Sequence, residues 1–268
     1  MILPSGKSGT LSSSARISND IVHYVDFSND YGWSGNTAND LMDRSVKYSS
    51  PAGYVSVVSG STAEPGYIEL DGSTDYLVAG KTLDAMTTLQ NFTIDAWVYP
   101  GATTGFTIAS FQKVVLTGQT AANQGFSFLP LLNGGWLNPR IQFYTASGGT
   151  RQGQFLATAG LTFTKNEWTH IVMRCKVNGD SSCHVTAKVF KPNGLSAASL
   201  VAGVTAGSPA STGITSSNAM HIGSQVVGSA VHAYLNGKIG SVRLYNRLLT
   251  DSEIETNYER SKKRYGHS

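Results

Sequence analysis

Glu69 and Asp71, two residues apart at the end of the stretch YIELDG, are the best-placed carboxylate pair in this chain for acid–base work. Hydrolysis of a glycosidic bond needs two carboxyls flanking it, about 5–9.5 Å apart. On one face of a strand that means a spacing of two or four residues. Asp71, however, opens the turn DGST, where Asp and Gly are expected for turn geometry alone. Asp95 stands alone in its strand, and Glu253 and Glu255 fall in a terminal helical stretch. A Ser–His–Asp set is assembled from spatial neighbours, so its histidine could be any of His23, His170, His184, His221, His232 and His267. His170 and His184 occupy strand positions opposite the apolar faces and read as half-exposed strand residues. Neither a G-x-S-x-G elbow nor an H-E-x-x-H zinc motif occurs. Gly6-Lys7-Ser8 copies the end of a phosphate loop, but Met1 stands where the first glycine belongs and no strand precedes it. The expectation is a non-enzyme, with no catalytic residue, no metal and no cofactor.

Sugar binding asks for different groups: aromatic rings that stack on apolar sugar faces and amides that read hydroxyls. Leu132-Asn133-Gly134-Gly135-Trp136-Leu137-Asn138-Pro139 sets a Trp among Gly and Asn, and Trp33 follows Asn-Asp-Tyr-Gly. A Trp in a loop has no obvious core role, although such residues also fold back as plugs. Trp33, Asn133, Trp136 and Asn138 are the candidate ligand-binding residues. Trp97 and Trp168 lie on strands and read as core or sheet-face residues.

The elements that would carry these groups are short strands. Segments 21–27, 54–58, 67–70, 76–78, 91–99, 106–111, 126–132, 140–145, 168–177, 183–190, 220–223 and 239–245 are separated by Gly, Ser and Asp turns. In the stretch NFTIDAWVY, Phe92, Ile94, Ala96 and Val98 alternate with Thr93, Asp95, Trp97 and Tyr99. Many short strands without a long amphipathic helix argue for a sandwich or barrel. One helix start stands out: Thr250 caps, Glu253 completes a capping box, Leu249 and Ile254 sit at staple positions, and Ile254 and Tyr258 recur at i, i+4. Cys175 and Cys183 share their buried faces if the loop between their strands holds three or five residues. Two buried thiols are the plainer reading and a cross-strand disulfide the other.

Residues 1–18, polar and rich in Ser and Gly, read as a flexible arm before a single domain over 19–268. Charged residues are only 14% of the chain, so Ser, Thr, Asn, Gln and 29 Gly must cover its surface. A net charge of +3 is too mild to point to nucleic acid. Arg260, Lys262, Lys263 and Arg264 read as a solvated helix end. No segment reaches the ~20 apolar residues of a membrane span. Met1 and the absence of a ~7–15-residue apolar stretch behind it argue against a signal peptide.

The blocks IVHYVDFSNDYGW, YIELDGSTDYLVAG, NFTIDAWVYP, NEWTHIVMRCKV and YLNGKIGSVRLYNRLLTDSEIETNYERSKKRYG, in that order, resemble laminin G-like domains of the concanavalin A-like lectin/glucanase superfamily. The likeness covers about 19–266. Its most specific part is 237–258, with Gly237, Ile239, Val242, Leu244, Tyr245-Asn246-Arg247, Leu249, Thr250, Glu253-Ile254 and Asn257-Tyr258 in the family's order. The final Lys-Lys-Arg-Tyr-Gly resembles the ending of such domains in phage and other viral structural proteins. The resemblance implies an all-β fold, an antiparallel two-sheet jelly-roll β-sandwich with a short C-terminal helix. It implies carbohydrate or protein binding, and relatives often hold calcium through loop oxygens. Asp26, Asp30, Asp71 and Asp75 are the candidates for that, but Asp71 to Asp75 reads as a plain turn. The leading expectation is a non-catalytic virion component, a capsid decoration or tail-associated adhesion protein, located on the virion. A secreted or surface bacterial lectin-like module, hence extracellular, is the alternative, and a glucanase the weaker one. Expected partners are other virion proteins of capsid or tail, with cell-surface glycans and a second copy of the chain as further options. Nucleic acid and membranes are not expected partners.

Overall fold

Period-two alternation over short, turn-bounded segments builds the architecture, which a computed structural model describes for residues 21–27, 55–58, 62–64, 66–82, 90–101, 116–119, 125–133, 136–144, 151–156, 165–177, 183–196, 202–203, 219–227, 230–232 and 234–268. The proposed arm at 1–18, the predicted strand at 106–111, Asp30 and Trp33 lie outside these residues. In chain order the strands are β1 (Ile21–Asp26), β2 (Val55–Val58), β3 (Thr62–Glu64), β4 (Tyr67–Asp71), β5 (Tyr76–Thr82), β6 (Asn91–Pro100), β7 (Leu116–Gln119), β8 (Gly125–Asn133) and β9 (Trp136–Tyr144). They continue with β10 (Arg151–Leu156), β11 (Thr169–Val177), β12 (Cys183–Lys191), β13 (Gly194–Ser196), β14 (Ala202–Gly203), β15 (Ala219–Ile222), β16 (Gln225–Val227), β17 (Ala230–His232) and β18 (Asn236–Tyr245). Helix α1 (Asp251–Ser261) and a 3-10 turn (Lys262–Tyr265) close the chain.

The strands form two antiparallel sheets, the expected jelly-roll sandwich. Among the described residues the first has nine strands, in the order β13-β12-β11-β6-β18-β4-β3, with β14 beside β12 and β1 beside the second half of β18. The second has seven, in the order β10-β9-β8-β7-β15-β5-β2, and β16 and β17 make a small separate ribbon. Phe92, Ile94, Ala96 and Val98 of β6 are fully buried, as are Ile68, Ile171, Val189, Ile239, Val242 and Leu244 on the strands of the same sheet. Leu77 of β5 and Ile222 of β15 meet this layer from the second sheet, also with no exposed surface.

β6 is also buried on its other face, which a half-polar strand would not show if that face met water. The cause is the chain's end. Thr250 accepts the Glu253 amide while the Glu253 side chain accepts the Thr250 amide, the capping box read from the sequence. Arg247 donates two bonds to the Glu253 carboxylate, at 2.8 and 2.6 Å, which pulls that group down to about 2. So started, α1 lays Ile254 and Tyr258 on a cluster of Ile21, Val172, Phe190, Tyr245 and Leu249. The turn after it stacks Tyr265 on Trp97 at 4.4 Å. Gly240 permits this: a Cβ there would collide with the Tyr265 ring.

Two expectations are corrected by this end of the chain. Arg264 is exposed, as a solvated end implies, but it is not a free charge. Its guanidinium reaches Asp26, 3.2 Å away, whose carboxyl is 1% exposed. Lys262 likewise pairs with Glu259 at 3.0 Å. The reading of two free thiols also fails: Cys175 is in a disulfide. With two cysteines in the chain, its partner is Cys183. The loop between β11 and β12 has the five residues that align their apolar faces, and the register Cys175↔Val185 and Val177↔Cys183 makes the cysteines diagonal neighbours.

The terminal strap should therefore behave as part of the core in chemical denaturation. Ile254→Ala should cost about 2–4 kcal/mol and Thr250→Ala about 1 kcal/mol. Arg264→Gln should be measurably destabilising while Lys263→Gln is not. A silent Arg264→Gln would show that the Asp26 pair does not hold the strap.

Candidate functional site

The outer face of the nine-stranded sheet is divided in two by the strap, and the covered half holds the most deeply buried ion pair among the described residues. Asp95 of β6 lies opposite Val172 of β11 and Arg243 of β18. His170 Nε2 meets its Oδ1 at 2.7 Å, with both side chains at 0% exposure. Arg243 approaches both carboxylate oxygens at 3.4 Å, and Asn257 of α1 donates to Oδ2 at 3.0 Å. Burial alone would push the Asp95 carboxyl up. The charges of His170 and Arg243, with the hydrogen bonds from His170 and Asn257, outweigh it and hold the group well below the usual carboxylate range. Beside it the Trp97 indole donates to Ser261 at 2.8 Å and stacks on His170 at 4.9 Å. His170 was expected to be half exposed and Asp95 alone. Both are sealed beneath the strap, so they fasten it and do not meet a ligand.

The open half is set by two adjacent strands whose burial alternates. On β4, Tyr67, Glu69 and Asp71 face outward while Ile68 and Leu70 are buried. Leading into and along β18, Tyr234, Asn236 and Lys238 are partly exposed while Leu235, Gly237 and Ile239 are buried. The register pairs Lys238 with Glu69 on one side and with Tyr99 of β6 on the other. Trp168 immediately precedes β11, whose Thr169 pairs with Val98, and so extends this row across four strands.

At this end the rings and charges touch. Trp168 packs against Tyr67 and Tyr99 with centroids at 5.9 and 5.6 Å, and is backed by Tyr265 of the strap at 4.6 Å. The Lys238 ammonium sits 4.4 Å above the Tyr67 ring and 5.5 Å from that of Tyr99. It also lies 3.6 Å from Glu69, with the two side chains 25% and 50% exposed. Burial disfavours its charge, but the Tyr67 hydroxyl and the Glu69 carboxylate outweigh that and raise its pKa. The result is a platform of half-exposed aromatic rings beside a donor and an acceptor whose charges compensate each other.

At the other end of the same strands Asn236 pairs with Asp71. The Asp71 carboxylate is occupied by its own turn: Oδ1 accepts the amides of Ser73, Thr74 and Asp75, and Oδ2 accepts the hydroxyls of Ser73 and Thr74. Burial works against its charge, and these bonds more than offset it, holding Asp71 below the ordinary range. Tyr234 then leans on Tyr76 at 6.0 Å, and Tyr76 stacks on His221 at 5.1 Å with an interplanar angle of 8°. Ser224 Oγ lies 3.1 Å from His221 Nδ1, and burial lowers this imidazole to about 4, leaving it neutral near pH 7. Among the described residues no three metal-ligating side chains converge. Of the calcium candidates, Asp26 is paired to Arg264 and Asp75 is buried.

Of the residues singled out from sequence for sugar binding, Trp33 lies outside the described residues and the other three lie on strands of the second sheet. Asn133 ends β8, while Trp136 and Asn138 belong to β9, not to a loop. Asn133 pairs with Trp136 and Leu131 with Asn138. Gly134, Gly135 and the asparagines around them make 132–139 read as a loop between the expected strands 126–132 and 140–145. The register sets Pro130 opposite Pro139, which confines the missing amide donors to one ladder position. Tyr67, Tyr99, Lys238 and Tyr234 escaped notice because each reads as an ordinary outward strand residue. Only the pairing of β4, β18 and β6 brings them together.

Comparison with known proteins agrees with the fold. A family model described as the concanavalin A-like lectin/glucanases superfamily, of laminin G type, matches residues 71–255. No curated protein matches the chain. Among solved structures, the botulinum neurotoxin serotype G binding domain aligns with a TM-score of 0.57 at 12% identity, covering 92% of this chain and 54% of that one. A Trypanosoma rangeli sialidase in complex with sialic acid aligns with a TM-score of 0.52 at 16% identity, covering 94% of this chain and 34% of that one. The chain thus spans about half of the neurotoxin chain and a third of the sialidase, and at these identities the likeness concerns the fold.

The Tyr76–His221 stack can be tested by titration. A base whose pKa is lower folded than unfolded leaves stability unchanged above about 6.5 and reduces it as pH falls from there toward about 4. An NMR titration of the His221 ring should give a midpoint near 4. A midpoint near 6.5 would show the ring to be open to water.

Proposed function

This chain belongs to the concanavalin A-like lectin/glucanase superfamily, in its laminin G-like form, and we propose that it is a non-catalytic saccharide-binding module that uses the open half of its outer sheet face. The observation that carries this is the platform of Tyr67, Tyr99 and Trp168 around Lys238 and Glu69. Rings half exposed on a rigid sheet suit the apolar face of a pyranose. A fixed ammonium and carboxylate beside them donate to and accept from its hydroxyls. Because the two charges offset each other, the platform favours neutral sugars over carboxylated ones such as the sialic acid bound by the Trypanosoma rangeli sialidase. Trp33, Asn133, Trp136 and Asn138 are a second candidate site for the same class of ligand.

Two features support binding over hydrolysis. A general acid needs a raised pKa, whereas the Asp71 carboxyl is lowered and its oxygens are taken by its own turn. Glu69 is held in the pair with Lys238. The disulfide of Cys175 favours an oxidising location outside the cytosol. A virion would satisfy that, and the expected role there, a capsid decoration or tail-associated adhesion protein, rests on the terminal sequence block.

Wild-type protein should bind members of an immobilised panel of neutral glycans better than sialyllactose in biolayer interferometry. Tyr67→Ala and Lys238→Gln should each weaken that binding by about tenfold or more, a loss of about 1.4 kcal/mol, with unchanged thermal melting. The same glycans should release no reducing sugar. Failure to bind any glycan, or binding by both variants at wild-type strength, would overturn this site. Hydrolysis abolished by Glu69→Gln would reassign the protein to the glucanases.

A further inference from the structure

The platform is one end of a longer ledge, and we propose, resting on the saccharide-binding reading, that the ligand is an extended neutral oligosaccharide chain and not a single terminal sugar. Its second aromatic subsite is Tyr234 and Tyr76. Three observations place this subsite in line with the first. The outward side chains run Tyr67-Glu69-Asp71 on β4 and Lys238-Asn236-Tyr234 along the neighbouring run, in antiparallel register through Lys238↔Glu69 and Asn236↔Asp71. The Asp71 charge is felt at the Tyr234 phenol, after burial and Tyr76 the next cause of its raised pKa, so the ring lies close to the end of β4. Tyr234 is in turn continuous with Tyr76 and the His221 ring stacked behind it.

Rings therefore stand at both ends, with a polar stretch of Glu69, Lys238, Asn236 and Asp71 between them. From Lys238 to Tyr234 is four residues, roughly 13 Å at the rise of a strand, too far for one sugar ring to touch both platforms. The polar stretch is balanced: Lys238 is matched by Glu69, and the Asp71 carboxylate is saturated by its own turn. A polyanionic or polycationic chain gains nothing from such a surface, whereas the hydroxyls of a neutral chain find donors and acceptors along it. The arrangement is also stiff. Tyr234 is followed by buried Leu235, whose amide bonds the Gly223 carbonyl at 2.7 Å, and His221 backs Tyr76 as an uncharged ring. Two subsites on one rigid support make the second contact intramolecular, so affinity should climb with chain length until both are filled.

The test uses β-1,4-linked glucose and β-1,4-linked N-acetylglucosamine oligomers, from dimer to hexamer, titrated calorimetrically into the full chain. In at least one series the hexamer should bind about tenfold or more tighter than the dimer. Tyr234→Ala should remove that gain and leave the dimer affinity as in wild type. Tyr234→Phe, which keeps the ring, should retain the gain. In unmodified protein the His221 ring signals should shift with hexamer and not with dimer, a readout that does not depend on any variant folding. Affinity that is flat with length, or a Tyr234→Ala variant that binds hexamer as wild type does, overturns the extended-chain proposal. In that case Lys238→Gln still weakens every length if the first platform is right. No binding at any length by wild-type protein overturns both. A dimer in sedimentation that Tyr67→Ala disperses would give the ledge to a second copy of the chain and overturn the proposal likewise.

Discussion

One buried carboxylate organises the outer face of this protein. Asp95 sits at the centre of the nine-stranded sheet with no exposed surface, and an unpaired charge there would cost several kcal/mol. It persists because His170 and Arg243 reach it from neighbouring strands and Asn257 reaches it from the helix. The helix is thus bound to the sheet by more than its apolar stripe. The strap must dock for the charge to be satisfied, and the charge fixes where the strap docks. Trp97, stacked between the His170 and Tyr265 rings, fills the space beside the ion pair.

Where the strap ends, the exposed surface begins. Tyr265 backs Trp168, and His267 lies 2.9 Å from the Trp168 carbonyl, so the last residues of the chain form the wall behind the first aromatic platform. Lys238 belongs to the same strand as Arg243, five residues away, yet one lies on the open ledge and the other under the helix. The register shift between Ile239 and Ser241 puts both on the outer face despite the odd spacing, and the strap, admitted by Gly240 beneath Tyr265, covers only Arg243. Structure and site are therefore coupled: the residues that hold the end of the chain also set the limit of the ledge.

Much of the scaffold was legible in sequence because its signals are local. Thr250 and Glu253 announce a capping box within four residues, and the alternation in NFTIDAWVY gives the inward face of β6 correctly. What alternation cannot give is the fate of the outward face. Thr93, Asp95, Trp97 and His170 sit at outward positions and are buried because the terminal helix, far later in the chain, covers them. The same limit applied to the ledge. Tyr67, Tyr99, Lys238 and Trp168 come from four separate segments, and no spacing rule joins them. Conversely, the Gly- and Asn-rich run 132–139 reads as a loop between two expected strands, whereas β9 already begins at Trp136. Cys175 and Cys183 lay between: loop parity placed them on one face, but not whether they join.

Hydroxyl-radical footprinting with and without a bound oligosaccharide tests most directly the claim that the open half of the outer face is the binding surface, because it reads oxidation at each aromatic side chain. Tyr67, Tyr99 and Trp168 should become protected on binding, with the signals of Trp33 and Trp136 unchanged. Protection of Trp33 or Trp136, with Tyr67 and Trp168 unchanged, would contradict the account and move the site away from the ledge.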